Sequence, residues 1–229
     1  MGKVIVIQFV TLDGVTEDPD GSGGFAHGGW AFRFGPEAVA GDKFKLGALL
    51  DTGTLLVGRR TWQLFAKIWP SRSDDFSRKM NAIPKLVASR TLESVDAWNN
   101  SALIAGDVID EVGKQKALAD LIVVGSDSLV QLLREHDLID EYRLIVFPIV
   151  LGDGRRLFAE DTSPAQFDTL GVELCGAASF IRLGRASAKD IAPPQERVAP
   201  CPNCKHLSTT SSPATTSSTI TGSSTATAT

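Results

Sequence analysis

Four short apolar runs constrain this chain more than any other feature. They are KVIVIQFV (3–10), TLLVG (54–58), KLVAS (85–89) and LIVVG (121–125). None alternates apolar with polar residues, so each reads as a strand buried on both faces. Strands of that kind occupy the middle of mostly parallel sheets. Between them lie amphipathic stretches that suit helices over 37–51, 59–67, 73–82, 107–118 and 128–136. Beyond Asp140 the pattern turns strand-rich, with EYRLIVFPIV, FDTLGVEL and ASFIRLG expected in hairpin or antiparallel pairing. The order implies an α/β domain with a mixed central sheet, antiparallel toward the C-terminus, and helices on both faces.

The character of the chain changes after about residue 188. Residues 1–188 are expected to form the folded domain. Residues 189–229 begin APPQERVAPCPNC after a short polar stretch and end in Ser, Thr and Ala. Such a tail buries too little to offset its ordering entropy and is expected to be disordered. It carries Cys201, Cys204 and His206, half of a zinc site without the other half. His27, His136 and His206 are scattered, so no metal is expected. The net charge is -4 and no run of five basic residues occurs. Nucleic acid is therefore not an expected partner, since phosphate-backbone affinity needs clustered Lys and Arg. No apolar stretch has the length of a membrane span. The first apolar run reads as a buried strand rather than a signal peptide. With only three cysteines, a reducing cytosol is the simplest home, so the chain is expected to be cytoplasmic.

Chemistry is expected where the strands end. Ligands of open α/β sheets sit at the carboxyl ends of parallel strands. Helices starting there offer unpaired amides and a partial positive charge. Gly58 is followed by Arg59, Arg60 and Thr61, and Ala88 by Ser89, Arg90 and Thr91. Arginine binds phosphate in a bidentate fork, although arginines at a rim are often merely solvated. The third end is Gly125, Ser126, Asp127, Ser128 and Leu129. It reads either as a phosphate cradle or as a tight turn before a helix capped by Ser128 and Gln131 in a capping box. Asp127 opposes phosphate by its charge unless it points elsewhere.

Taken in order, TLDGV, LLVGRRTW, KLVASRT, LIVVGSDSLVQLL and LIDEYRLIVFPIVLGDGRRLF resemble the dihydrofolate reductase-like superfamily. The likeness is strongest to the branch holding the reductase domain of riboflavin biosynthesis, and it spans residues 3 to 185. It implies a three-layer α-β-α domain that binds NADPH. It implies that Gly58, Arg59, Arg60 and Thr61 meet the adenosine phosphates. Ser89, Arg90 and Thr91 would meet the 2′-phosphate, and Gly125 to Leu129 would wrap the diphosphate. Val10, Thr11, Asp13 and Gly14 would lie near the nicotinamide. In dihydrofolate reductase proper a cis bond joins two glycines in the diphosphate turn. Here the pair is Gly125-Ser126, where a cis bond would cost about 2.5–4 kcal/mol. Counting back from VGR places Asp42 where dihydrofolate reductase carries its substrate carboxylate, although Asp42 also reads as a solvated helix-start acid.

Between Asp13 and Pro36 lies a long glycine-rich loop. Loops of this length inside a compact domain are often functional, and by resemblance this one covers the nicotinamide and substrate. Trp30 would stack on a flat heterocycle and His27 would donate a proton; the alternative is that both pack the loop down. The expected function is NADPH-dependent reduction of a small heterocyclic or imine substrate. The resemblance points to the ribosylaminouracil phosphate of riboflavin synthesis. Dihydrofolate reduction, or nucleotide sensing without turnover, is the alternative. The strand-rich C-terminal part is expected to form a homodimer interface.

Overall fold

The computed structural model describes residues 1–39, 42, 44–158, 162 and 164–186. These residues belong to one compact unit, Met1–Ile191. The tail expected over 189–229, with Cys201, Cys204 and His206, lies outside the described residues.

The apolar runs form the strands they suggested. They are β1 (Val4–Thr11), β2 (Thr54–Gly58), β3 (Lys85–Ala88) and β5 (Leu121–Val124). The strand-rich end supplies β6 (Glu141–Phe147), β7 (Phe167–Cys175) and β8 (Ala178–Arg185). One strand, β4 (Ser101–Leu103), carried no signal, because three half-exposed residues are too short for a period. The sheet order is β4-β3-β2-β5-β1-β6-β8-β7. Every pair from β4 to β6 is parallel. Only β6–β8 and β8–β7 are antiparallel, so β6 is parallel on one side and antiparallel on the other.

Strand residues pack alternately on two cores, which is why the runs do not alternate apolar with polar residues. Ile5, Ile7, Leu55, Val57, Ile122 and Val124 meet α1 (Leu49–Thr52), α2 (Arg59–Ile68) and α3 (Asp75–Ala82) on one face. Val4, Val6, Leu56, Leu121 and Val123 meet α4 (Val108–Lys116) and α5 (Asp127–Glu135) on the other. The result is a three-layer α-β-α domain.

Of the helix expected over 37–51, the described residues form a single turn, α1. Lys45 and Gly47 adopt φ of 51° and 55°, which no helix tolerates. The Asp42 carboxylate accepts the amides of Leu46 (2.8 Å) and Gly47 (2.6 Å), offering the backbone a turn instead. The apolar residues that suggested a helix, among them Ala38, Val39 and Leu46, anchor this turn-rich segment in the core.

Candidate functional site

The site grows from a split in the sheet. β2 and β5 pair only at Thr54↔Leu121 and Leu55↔Ile122. Beyond Leu55 they part, while β2 stays paired with β3 as far as Gly58↔Ala88. From β2 the chain passes to α2 on one face, and from β5 to α5 on the other. That is a topological switch point, where ligands of open α/β sheets bind.

Ser126 bridges the split. Its hydroxyl accepts the Gly58 amide (2.9 Å) and donates to Thr61 Oγ1 (2.9 Å). It reaches there because Gly125 and Ser126 are both left-handed, each with φ of 61°. No cis peptide bond occurs among the described residues, so Gly125-Ser126 is trans. The left-handed φ rather than space favours glycine at 125, since a Cβ there would only touch Thr61 Oγ1 at 3.4 Å. The capping box expected at Ser128 does not form. Ser126 is the residue before the helix and α5 begins at Asp127. Gln131 turns away and donates to the Leu157 carbonyl (2.9 Å). The turn is a clasp between two helix starts rather than a self-capped helix.

The two helix N-termini therefore open on one crevice. The first amides of a helix have no acceptor within it, so those that open α2 and α5 are available to a ligand at this point. Arg59 and Arg60 are exposed and form no ion pair with a described residue. Because Gly58 pairs with Ala88, Ser89 and Arg90 leave the sheet level with Arg59. The Ser89 hydroxyl accepts the amides of Thr91 (3.2 Å) and Leu92 (3.0 Å), which fixes the turn and leaves Arg90 exposed. Three guanidinium groups on neighbouring strand ends, beside two sets of open amides, make a donor set suited to a ligand with several phosphates.

Asp127 is turned away from those amides. Its carboxylate accepts from Thr16 Oγ1 (3.1 Å) and Gln8 Nε2 (3.4 Å) and faces Arg155 Nε (3.4 Å). Burial pushes its carboxyl above the ordinary carboxylate range, against the pull of the Thr16 hydrogen bond and the Arg155 charge. Leu129 packs in the core below.

A second knot secures the loop that follows β1. The Asp13 carboxylate accepts from Thr11 Oγ1 (2.6 Å), the Gly152 amide (2.8 Å) and the Leu151 amide (3.2 Å). Desolvation pushes its carboxyl up, but those hydrogen bonds together outweigh it and hold the group below the usual range. Gly14, at φ 83°, accepts the Leu157 amide (2.8 Å), and Arg156 Nε donates to the Asp13 carbonyl (3.0 Å). The segment GDGRRLF, part of the family resemblance in the sequence, is the other half of this knot. Val10 lies beneath it in the core.

Two of the expected catalytic residues are placed differently. Trp30 is wholly buried, edge-on to Phe147, with its indole N–H on the Glu17 carbonyl (2.8 Å). A ring so enclosed has no face for a heterocycle; its apolar bulk holds the loop down. Asp42 lines a cavity of about 440 Å³ with Lys45, Arg143 and Arg182 at the start of β6, and none of the strand-end residues lines it. Its oxygens are committed to Leu46 and Gly47. His27 is exposed on the loop, edge-on to Phe25. Sequence reasoning missed Gln8, Thr16, Glu17 and Arg155. A signal existed for one of them, as Gln8 is the single polar residue within VIVIQFV. The other three depend on loop pairing that no local pattern encodes. Among the described residues no group of His, Cys, Asp or Glu is placed to hold a metal. No described helix is long and apolar enough to cross a membrane.

Comparison with known proteins agrees with this architecture. The uncharacterized protein YyaP of Bacillus subtilis (strain 168) is 29% identical over 165 residues, covering 69% of this chain and 81% of that protein. The crystal structure of a putative riboflavin biosynthesis protein from Shewanella sp. PV-4 superposes with a TM-score of 0.61 at 22% identity, over 82% of this chain and 100% of the other. A diaminohydroxyphosphoribosylaminopyrimidine deaminase/5-amino-6-(5-phosphoribosylamino)uracil reductase from Thermotoga maritima gives a TM-score of 0.50 at 14% identity, over 81% of this chain and 57% of that one. The family model described as RibD C-terminal domain matches residues 2–179. With the sheet order, the crevice and this match agreeing, the chain belongs to the RibD C-terminal domain family, with its dihydrofolate reductase-like fold.

Proposed function

We propose that the chain is an NADPH-dependent reductase of a small planar heterocycle or imine, of the kind the aminouracil reductases represent. The observation that carries this reading is the donor set of Arg59, Arg60 and Arg90 beside the open amides of α2 and α5. NADPH carries one phosphate more than NADH, and Arg90 at the end of β3 is the group assigned to it. Gly58 and Gly125 let backbone approach the diphosphate closely. The bound cofactor would supply the hydride, so the chain needs no nucleophile of its own. Its task is to position, to exclude water and to deliver a proton. In this reading the loop knotted at Asp13 and Gly14 covers the reacting ring, with Thr11 and Val10 at its base. His27 is the titratable side chain on that loop assigned to proton delivery. Membership of the family and the name of the Thermotoga protein support the substrate class.

Fluorescence titration tests the reading. NADPH should bind well below millimolar Kd. The Arg59→Ala/Arg90→Ala pair should weaken NADPH at least about tenfold more than NADH, the loss of one charged phosphate contact. Equal loss for both nucleotides would remove the 2′-phosphate assignment. Binding without oxidation of NADPH by any dihydropterin or aminouracil would point to nucleotide sensing instead. We further propose a cytoplasmic homodimer. The edge strand β7 supports a dimer, since it exposes Leu170, Val172 and Leu174.

A further inference from the structure

One group in the crevice opposes an anion. Asp127 is the first residue of α5, and a carboxylate there competes with any phosphate for the same amides. Its side chain is nevertheless drawn back. Gln8 from β1 and Thr16 from the following loop hold one oxygen, and Arg155 from the segment after β6 faces the other. Arg155 is itself fixed. Its guanidinium meets Glu17 Oε1 at 3.2 Å, its amide donates to Glu17 Oε2 (2.9 Å), and its carbonyl accepts the Thr16 amide (2.9 Å). One cation thus stands between two carboxylates, and the three lie between the loop after β1 and the start of α5.

We infer that Arg155 is a positioning residue that holds the Asp127 carboxylate back from the α5 amides, and that this pair sets how tightly the crevice holds a phosphate-bearing ligand. The inference rests on the cofactor reading above for the identity of that ligand. The coupling between the two side chains is independent of it. The charged or polar groups facing Asp127 are Gln8, Thr16, Glu17 and Arg155. Glu17 is the only other acid among them, so removing Arg155 leaves two carboxylates facing each other without a cation. The Asp127 carboxyl, already pushed up by burial, then rises further. Binding lost in Arg155→Ala would return as pH falls and Asp127 takes up a proton.

The test uses the full chain as wild type, Arg155→Ala, Arg155→Lys, Asp127→Asn and the Arg155→Ala/Asp127→Asn double variant. NADPH Kd is measured by fluorescence from pH 5.5 to 8. The Asp127 carboxyl is titrated by carbon-13 NMR without nucleotide. Arg155→Ala should bind roughly tenfold more weakly than wild type at pH 8 and regain affinity on acidification. Asp127→Asn should bind as tightly as wild type or more so. The double variant should match Asp127→Asn within about threefold and lack the added pH dependence. Arg155→Lys, which keeps charge without the fork, should lie between wild type and Arg155→Ala and guards against misfolding of the alanine variant. A double variant as weak as Arg155→Ala would overturn the inference, because Arg155 would then touch the ligand itself. So would an Asp127 titration unchanged by Arg155→Ala. If no variant binds NADPH, the cofactor reading fails, while the NMR titration still decides the coupling.

Discussion

Lys85 shows how much a single side chain can be asked to do. It is 1% exposed, yet its ammonium donates to the carbonyls of Asn81 (3.0 Å), Ile83 (2.7 Å) and Asn99 (3.0 Å). It also lies 4.4 Å from the centre of the Trp98 ring. Those partners pin the start of β3, and so the height at which Ser89 and Arg90 leave the sheet. Burial nonetheless pushes Lys85 down from 10.5 to about 8. Between those values the unfolded chain holds a proton that the folded chain has released, so stability rises with pH there. Denaturant midpoints should increase from pH 8 to pH 10, and the increase should vanish in Lys85→Met. A flat profile in the wild type would mean that the three carbonyls fully offset the cost of burial.

At the scale of elements, the clasp between α2 and α5 is the joint on which the crevice depends. Ser126→Ala removes both hydrogen bonds of the hydroxyl and leaves the Gly58 amide without its partner. The loss should be about 1–3 kcal/mol in urea unfolding. Gly125→Ala forces a Cβ into a left-handed residue beside Thr61 and should cost about 1–2 kcal/mol. The strands themselves were legible, because a short β-branched run such as LIVV, ended by a glycine turn, suits a strand buried on both faces. Their ends were legible too, as small residues followed by arginines. What sequence did not disclose was the partner of each group. Ser128 and Gln131 have the spacing of a capping box, yet the left-handed pair before them puts Ser126 in the decisive place. The segment 37–51 has helical periodicity, but Asp42 and the left-handed Lys45 and Gly47 turn the backbone over 44–47. Trp30 looked like a ligand platform because its loop is long; its burial follows from contact with Phe147 of β6, far away in sequence, and from a hydrogen bond to Glu17 across the same loop.

For the molecule as a whole, the two sheet edges differ. β4 is short and half exposed, a poor template for pairing. β7 is nine residues long and carries Val172 and Leu174 at 64% and 81% exposure. If the proposed dimer uses β7, Val172→Lys/Leu174→Lys should convert it to monomer in sedimentation equilibrium without changing the far-ultraviolet circular dichroism. A monomeric wild type would remove that proposal. The fold class followed from the alternation of runs, but the strand order did not, since nothing local says that β1 must stand between β5 and β6.

The parting of β2 from β5 gives the protein a gauge of its own state. A sheet normally protects its inner amides along the full length of each strand, but here the last amide of β2 is shielded by one hydroxyl from across a seam. Whatever widens the seam frees Gly58 to exchange its proton with water, and whatever spans it slows that exchange. The exchange rate of this one amide, followed by NMR, therefore reports how far the two halves of the sheet stand apart.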